Sequence, residues 1–253
     1  MKILAVIPAR YASTRFPGKP LALLGGKPII DYAYGVAVGA ECVEKAVVAT
    51  DDVRIFAHMK ETFGEESVMM TREDHKSGTD RCGEVLEKLE QKGERYDVVV
   101  NLQGDEPFVQ ASQLESLANC FENARTCIAT LKTRITSSEE LASPNNVKVV
   151  CATDGRALYF SRQPLPYRRG VELDRWLEEG DYFKHVGIYA FRSQVLTEVC
   201  QLPQSMLECS EKLEQLRWLE AGYTIAVRET PCANIGIDTP EDLTIAEKEL
   251  KKI

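Results

Sequence analysis

The sequence lacks any apolar run near the roughly 18 residues needed to cross a bilayer, and its first residues do not show the pattern expected of a signal peptide. Met1 and Lys2 lead directly into the apolar residues 3–7, with no small-residue cleavage site. Both absences argue against a membrane-bound or secreted protein. We therefore expect a cytoplasmic protein with no membrane partner.

Paired cysteines and clustered histidines are also missing. The eight cysteines are scattered without a C-x-x-C pair, and His58, His75 and His185 lie far apart. This spacing favours reduced thiols in a cytosolic protein and disfavours a zinc site.

Positive charge is scarce overall but present locally. A net charge of −8 argues against a nucleic-acid surface. The first 50 residues nevertheless carry six basic and three acidic side chains, so the remaining residues carry a net −11. A basic face on an acidic protein fits a small anionic ligand better than a polymer.

Neither standard phosphate-binding loop is present. No G-x-G-x-x-G follows the first apolar run, and both Gly-Lys pairs run into proline rather than Ser or Thr. Phosphate binding would therefore need a different kind of loop.

Residues 8–20 form a basic loop after the first predicted strand. They contain Arg10, Arg15 and Lys19 and no acidic residue. The Phe-Pro-Gly-Lys segment fits a type II turn, because proline fixes φ at the second position and glycine supplies positive φ at the third. Three cations on a stiff loop can bind a polyphosphate with little ordering entropy to lose. A solvated basic loop is the alternative.

Strand-like runs alternate with helical segments through the first half of the chain. The β-loop-α pattern repeats four times up to about residue 124, which predicts an open parallel sheet with helices on both faces. From residue 126 to about 200 we expect an antiparallel excursion, since Asp154-Gly155 is a strong hairpin turn. A helix over 210–221 and a short extended piece over 235–238 follow. The absence of a linker predicts a single α/β domain over residues 1–253.

An acidic pair, Asp105 and Glu106, follows the predicted core strand 98–102. In a parallel sheet this position lies at the same edge as the basic loop. Carboxylates there would repel a nucleotide unless a cation lies between them. Mg²⁺ takes one or two carboxylates and completes its octahedron with phosphate oxygens and water. Asp105 as an ordinary turn or cap residue is the alternative.

Two predicted helix starts hold further polar candidates. Ser77, Gly78 and Thr79 would present hydroxyls and backbone amides at a helix N-terminus, where anions bind well. Thr79 could instead simply cap that helix. Near the end of the chain, Thr239 can cap the last helix and leave Asp238 free, or Asp238 can be the cap itself.

Polar side chains in the second half are further candidates for ligand contacts. Arg162 could pair bidentately with a carboxylate, and His185 and Tyr189 share one strand face by their even spacing. Glu211 and Gln215 lie four residues apart on one predicted helix. A structural histidine and a solvated helix face are the alternatives.

These segments resemble, in order, the motifs of the 3-deoxy-manno-octulosonate (Kdo) cytidylyltransferases. The matching strings are I-P-A-R-Y-x-S-T-R-x-P-G-K-P-L from residue 7, H-x-S-G-T-D-R from 75, V-N-x-Q-G-D-E-P from 100, Y-F-S-R-x-P-x-P-Y from 159, K-H-V-G-I-Y-A from 184 and N-I-G-I-D-T-P-E-D from 234. The resemblance implies a Rossmann-like nucleotidyltransferase fold with a mixed, mostly parallel sheet, and a homodimer.

It also implies an enzyme that transfers CMP from CTP to Kdo with Mg²⁺ as cofactor, for lipopolysaccharide biosynthesis in Gram-negative bacteria. The implied catalytic residues are Arg10, Arg15, Lys19, Asp105 and Asp238, with the two aspartates as metal ligands. Nucleotide contacts are implied for Ala9, Arg10, Lys19, Ser77, Gly78, Thr79, Arg81 and Asp105. Sugar contacts are implied for Gln103, Arg162, His185, Tyr189, Glu211 and Gln215. The excursion over 126–200 would contribute to the sugar pocket and to dimer contacts.

Two other functions stay open at this point. A cytidylyltransferase acting on sialic acid or methylerythritol phosphate would share the fold, but H-x-S-G-T-D-R and Y-F-S-R argue against both. A non-catalytic nucleotide-binding regulator would need fewer cations and no paired aspartates.

Overall fold

A computed structural model describes residues 1–12, 15–232 and 236–251. Its strands are β1 (Ile3–Ala9), β2 (Leu23–Leu24), β3 (Lys27–Pro28), β4 (Lys45–Thr50), β5 (Val68–Met70), β6 (Val98–Asn101), β7 (Ile128–Arg134), β8 (Lys148–Cys151), β9 (Ala157–Ser161), β10 (Phe183–Arg192) and β11 (Ile225–Glu229). Its α-helices are α1 (Ile29–Gly39), α2 (Val53–Phe63), α3 (Gly78–Gln91), α4 (Ala111–Cys120), α5 (Ser138–Ala142), α6 (Trp176–Glu179), α7 (Ser193–Val199), α8 (Met206–Glu211), α9 (Gln215–Glu220) and α10 (Pro240–Leu250).

The main sheet has the strand order β11-β7-β10-β6-β1-β4-β5. The strands β6, β1, β4 and β5 are parallel to one another, and β11 is parallel to β7. Along β1, Ile3 and Ile7 face one core while Leu4 and Val6 face the other. A strand that is buried on both faces needs a continuous apolar run, which explains its sequence.

Helices cover both faces of this sheet. On one face α1, α2 and α4 pack with residues such as Ile30, Met59 and Leu114. On the other face α3, α7 and α9 contribute Leu86 and Trp218. The predicted α/β fold, with a mostly parallel sheet and helices on both faces, is confirmed.

The antiparallel excursion is also present. Strand β10 runs antiparallel between β6 and β7, and β8 pairs antiparallel with both β10 and β9. The register of β10 against β7 shifts between Val186 and Tyr189, which marks a bulge. A bulge re-aims side chains locally, and here it lies between His185 and Tyr189.

One sequence-based prediction about secondary structure is wrong. The helix expected over 210–221 is broken into α8 and α9 at Lys212, whose φ of 54° is left-handed. The extended piece expected over 235–238 has no strand at residues 236–238, and Ile235 lies outside the described residues. No helix of the described chain is long and apolar enough to cross a membrane.

Candidate active site

The basic loop contains the predicted tight turn. Gly18 has φ 75° and ψ 8°, and the Lys19 N–H donates to the Phe16 carbonyl at 3.2 Å. The Gly18 N–H donates to the Tyr11 carbonyl, and the Arg54 guanidinium lies 3.2 Å from the centroid of the Tyr11 ring. These contacts hold the loop against α2. The motif residues Ser13 and Thr14 lie outside the described residues.

Lys19 connects the two aspartates predicted as metal ligands. Its Nζ lies 2.5 Å from Asp105 Oδ2 and 3.1 Å from Asp238 Oδ1. Arg15 Nη2 lies 3.1 Å from Asp238 Oδ2. The fold thus brings together side chains from three distant segments at the carboxyl edge of the parallel strands.

Asp238 is available because other residues cap the last helix. Thr239 is the N-cap of α10. Its side chain accepts a hydrogen bond from the Asp242 N–H, and the Asp242 carboxylate accepts one from the Thr239 N–H at 2.9 Å. This capping box settles the open alternative and leaves the Asp238 carboxylate to pair with Lys19 and Arg15. The N–H of Ile237 also donates to the Asp105 carbonyl at 3.0 Å, which ties the two segments together.

Asp105 reaches the same position through Gly104. A Cβ at Gly104 would lie 3.0 Å from the Pro8 carbonyl and 2.9 Å from Ile30 Cδ1. Only glycine lets this loop pass so close to the end of β1. Gln103, predicted to contact the sugar, is half-buried beside it, and its carbonyl accepts from the Glu106 N–H.

The oxygen donors here fit Mg²⁺. Two carboxylates that contact one ammonium nitrogen lie close enough to share one cation, and Mg²⁺ commonly takes one or two carboxylates. Within the described ranges, no group of three or more His, Cys, Asp or Glu side chains could hold a metal. Further ligands would have to come from phosphate and water.

The start of α3 faces this site. Ser77 caps the helix and forms a capping box with Asp80, so Thr79 and Asp80 are not the cap. Ser77 is the N-cap because its extended backbone directs its hydroxyl to the Asp80 N–H. Thr79 is buried, and its hydroxyl donates to Glu214 Oε2 at 2.7 Å instead. A Cβ on Gly78 would lie 3.3 Å from Pro8, so this terminus lies against the end of β1, near the buried Ala9.

Arg10 is hydrogen-bonded to the segment that precedes α3. Its guanidinium donates to the His75 carbonyl, and the His75 ring is hydrogen-bonded to Glu84. Burial would raise the pKa of Glu84, but hydrogen bonds from Lys88, the Arg72 backbone and His75 lower it to about 2. Burial, followed by the nearby Arg81, lowers the pKa of Arg10.

Arg81 is fully buried. Its guanidinium donates to Thr71 Oγ1 at 2.6 Å and is paired with Asp51. A fully buried guanidinium has no surface to offer a nucleotide in this conformation. Its predicted direct contact with the nucleotide therefore stays a prediction.

His185 and Tyr189 lie together next to the bulge of β10, as predicted. Their ring centroids are 5.1 Å apart, and His185 Nε2 is 2.9 Å from Thr130 Oγ1. Burial lowers the pKa of His185 to about 3, so the imidazole is neutral. Among the described residues the buried Tyr189 hydroxyl has no hydrogen-bond partner, and a buried hydroxyl of this kind can be satisfied by a water or by a ligand.

Arg162 and Glu211 are hydrogen-bonded to each other. Arg162 Nε donates to the Glu211 carbonyl at 2.7 Å, and Nη1 donates to the Pro144 carbonyl at 3.0 Å. The Glu211 carboxylate accepts from Ser161 Oγ at 2.6 Å and from the Arg162 N–H at 3.0 Å. The predicted direct sugar contacts of both residues stay predictions, and the structure adds a mutual support that local sequence does not reveal.

The helix break separates Glu211 from Gln215, so the predicted pairing of the two on one helix face is wrong. The left-handed Lys212 ends α8, and the buried Gln215 begins α9.

Glu214 is a candidate that sequence reasoning missed. Its carboxylate accepts from Thr79 and from Arg217 Nη2, the latter at 2.7 Å. Burial raises the pKa of Glu214. The available signal in the sequence was its position next to Gln215, and the structure shows that its carboxylate reaches Thr79 at the start of α3.

A cleft of about 1060 Å³ opens beside this carboxylate. It is lined near the site by Ser77, Asp80 and Glu214, and it continues along α3 towards Gln91. Lys19 and Asp105 are not among its lining residues. The aspartate pair thus lies outside this groove.

Comparison with known proteins agrees with this geometry. A family model described as cytidylyltransferase matches residues 4–227. The 3-deoxy-manno-octulosonate cytidylyltransferase of Phocaeicola vulgatus is 53% identical over 100% of this chain and 98% of its own length. The protein of the same name from Bacteroides thetaiotaomicron is 53% identical over 99% of each chain.

Solved structures give the same result. A CMP:2-keto-3-deoxy-manno-octonic acid synthetase complexed with CTP has a TM-score of 0.90 and 42% identity, covering 100% of this chain and 99% of its own. The 4-diphosphocytidyl-2C-methyl-D-erythritol synthase of Anaerococcus prevotii covers 98% of this chain and 96% of its own with a TM-score of 0.61, but at 14% identity it shares only the fold. The chain belongs to the 3-deoxy-manno-octulosonate cytidylyltransferase family.

Proposed function

We propose that this protein transfers CMP from CTP to Kdo, giving CMP-Kdo and pyrophosphate for lipopolysaccharide biosynthesis. The proposal rests mainly on one observation: the Lys19 ammonium contacts the carboxylates of Asp105 and Asp238 at the carboxyl edge of the parallel strands. This edge is where ligands bind in open α/β sheets. Family membership supplies the identity of the two substrates.

The cations of the basic loop would act on the triphosphate. Arg10, Arg15 and Lys19 stand on one loop and can neutralise the charge of the departing pyrophosphate. Phosphoryl and nucleotidyl transfers need little covalent work from the protein, so positioning and charge stabilisation carry the rate. The α3 terminus at Ser77 and Gly78 would add backbone donors for the nucleotide.

Asp105 and Asp238 would hold Mg²⁺. When bound, this ion neutralises phosphate charge and lowers the pKa of a hydroxyl near it. The protein's own part is to keep both carboxylates aimed at one point, through the Thr239 capping box and the close approach at Gly104.

The sugar acid would bind beyond the nucleotide, near β10 and α9. The unpaired Tyr189 hydroxyl, the neutral His185 and Gln215 can hydrogen-bond sugar hydroxyls. Arg162 would support this pocket through Glu211. These contacts explain how one site could discriminate a sugar acid from other alcohols.

We also propose a cytoplasmic homodimer. The excursion leaves large apolar side chains exposed, with Leu158 at 50% and Tyr167 at 75%. Both residues lie in the segment 126–200 that the family resemblance implies for dimer contacts. Light scattering on the purified protein tests the dimer, and a monomer at micromolar concentration would contradict it.

The decisive experiment is pyrophosphate release across a panel of nucleoside triphosphates and sugar acids. CTP with Kdo should give the highest kcat/KM. Equal turnover with UTP or ATP would contradict the nucleotide assignment. CTP binding without any pyrophosphate release would favour the non-catalytic regulator.

A further inference from the structure

Lys19 is held in place by the two carboxylates that are expected to bind a metal. Its side chain is only 11% exposed, whereas those of Asp105 and Asp238 are 31% and 49% exposed. The ammonium contacts an oxygen of each carboxylate, at 2.5 and 3.1 Å. Arg15 pairs with the other oxygen of Asp238. Two cationic side chains therefore balance two anionic ones.

A divalent ion shared by the same carboxylates would meet this ammonium. Mg²⁺ binds oxygen at about 2.0–2.1 Å, so an ion between Asp105 and Asp238 would lie within a few ångströms of Nζ as it stands. Like charges at such a separation repel strongly in a partly buried site. The ammonium and the metal compete for the same two carboxylates.

Lys19 has an alternative anionic partner and a side chain that can reach it. Lysine has a flexible four-carbon stem. Its ammonium group can donate hydrogen bonds in many directions, whereas a guanidinium donates in a fixed planar geometry. Lys19 belongs to the same loop as Arg10 and Arg15, whose proposed ligand is a triphosphate. A triphosphate can draw the ammonium away from the aspartates and offer oxygen ligands at the same time.

We propose that Lys19 occupies the metal position until a nucleoside triphosphate engages it, so that the nucleotide opens the metal site. The inference rests on the proposed function of the aspartates as metal ligands. It predicts positive coupling between nucleotide and divalent metal beyond their direct contact. Such coupling is reciprocal, so the metal also raises nucleotide affinity.

Binding of Mn²⁺ to the protein without nucleotide tests this inference. Free Mn²⁺ is measured by electron paramagnetic resonance for the wild-type protein, Lys19→Met and Lys27→Met. Lys19→Met keeps an unbranched apolar stem and removes the charge. Lys27 is an exposed lysine of the β2–β3 hairpin, so Lys27→Met is the matched control.

Lys19→Met should bind Mn²⁺ at least about tenfold more tightly than the wild type, because an ammonium a few ångströms away no longer repels the ion. Lys27→Met should behave as the wild type. Asp105→Asn in the Lys19→Met background should abolish the gain. Addition of CTP to the wild type should raise Mn²⁺ affinity as well.

The outcomes separate this inference from the proposed function. If wild-type protein binds Mn²⁺ with CTP through Asp105, but Lys19→Met gains nothing without CTP, the metal site stands and the competition is wrong. If neither CTP nor Lys19→Met produces any binding that depends on Asp105, both the metal site and this inference fail.

Discussion

At the scale of single residues, Thr239 determines what Asp238 can do. A helix start needs side chains to satisfy its free N–H groups, and Thr239 and Asp242 meet that need together. The neighbouring carboxylate is therefore available for chemistry. The same logic applies at Gly104, where a missing side chain positions the acidic residue after it.

Asparagine substitutions at Asp105 and Asp238 test the paired site. Both changes are nearly isosteric, so each variant should still fold despite losing an ion pair with Lys19, while kcat should fall by orders of magnitude in each. The double variant should be little worse than either single one, because residues acting as a unit are not additive. The measurement is kcat against Mg²⁺ concentration for the four proteins. Normal activity and normal Mg²⁺ dependence in Asp238→Asn would remove that residue from the site.

Substitution of Arg162 or Gln215 by alanine should affect the sugar selectively. We expect a higher KM for Kdo with CTP affinity nearly unchanged, and a loss of about 1.5–3 kcal/mol for a charged hydrogen bond. Arg162→Ala also removes the hydrogen bond from Arg162 Nε to the Glu211 carbonyl, while the Glu211 carboxylate keeps its bonds from Ser161 and from the backbone N–H of residue 162. The exposed Arg156 of the same hairpin is the control for charge removal. A CTP-binding defect of similar size would show that the pocket is mapped wrongly.

At the scale of elements, the break between α8 and α9 positions the sugar-side residues. Lys212 adopts a left-handed conformation, which is rare for a residue with a side chain. The turn directs Glu211 towards Ser161 and Arg162 while Glu214 reaches Thr79. A continuous helix would not direct Glu211 to Ser161 and Glu214 to Thr79 at the same time.

Lys212→Gly should stabilise the protein. Relief of the left-handed strain favours folding by about 1–2 kcal/mol, and the added freedom of the unfolded chain offsets part of this. We expect a net gain of a few tenths to about 1 kcal/mol in urea unfolding. Lys212→Ala, which keeps a Cβ, should give no such gain. Destabilisation by glycine would indicate that the lysine side chain itself stabilises this turn.

The loop before α3 should respond to acid through Glu84. A carboxylate with a folded pKa of about 2, against an ordinary 4.5, stabilises the protein fully above pH 4.5. That stability is lost as the pH falls towards 2. Glu84→Gln should lower the unfolding free energy at pH 7 and flatten its dependence between pH 4.5 and 2. Glu87→Gln, an exposed site on the same helix, is the control. An unchanged acid slope in Glu84→Gln would show that the contacts of Glu84 with Lys88, the Arg72 backbone and His75 do not stabilise the fold.

At the scale of the whole molecule, the sequence predicted what depends on local pattern. Alternating apolar runs and helix starts indicated the layers, whereas the sequence left open whether Thr239 or Asp238 caps the last helix, and only the structure identifies Thr239 as the cap. The helix break at Lys212 could not be predicted, because no Gly or Pro interrupts that stretch and the break depends on contacts with β9. The burial of Arg81 could not be predicted from the local sequence either, because its ion-pair partner Asp51 follows β4, a distant strand.

The meeting of Lys19 with Asp238 has a consequence for how the protein is made. The two residues are 219 positions apart, and the ribosome delivers them in that order. A nascent chain can pair β1, β4 and β6 and display the basic loop and Asp105 long before Asp238 exists. Until then the growing polypeptide has the parts that attract phosphate but only one of its two paired carboxylates. With both carboxylates required, as proposed, competence for transfer arrives only after every strand of the described sheet has been synthesised.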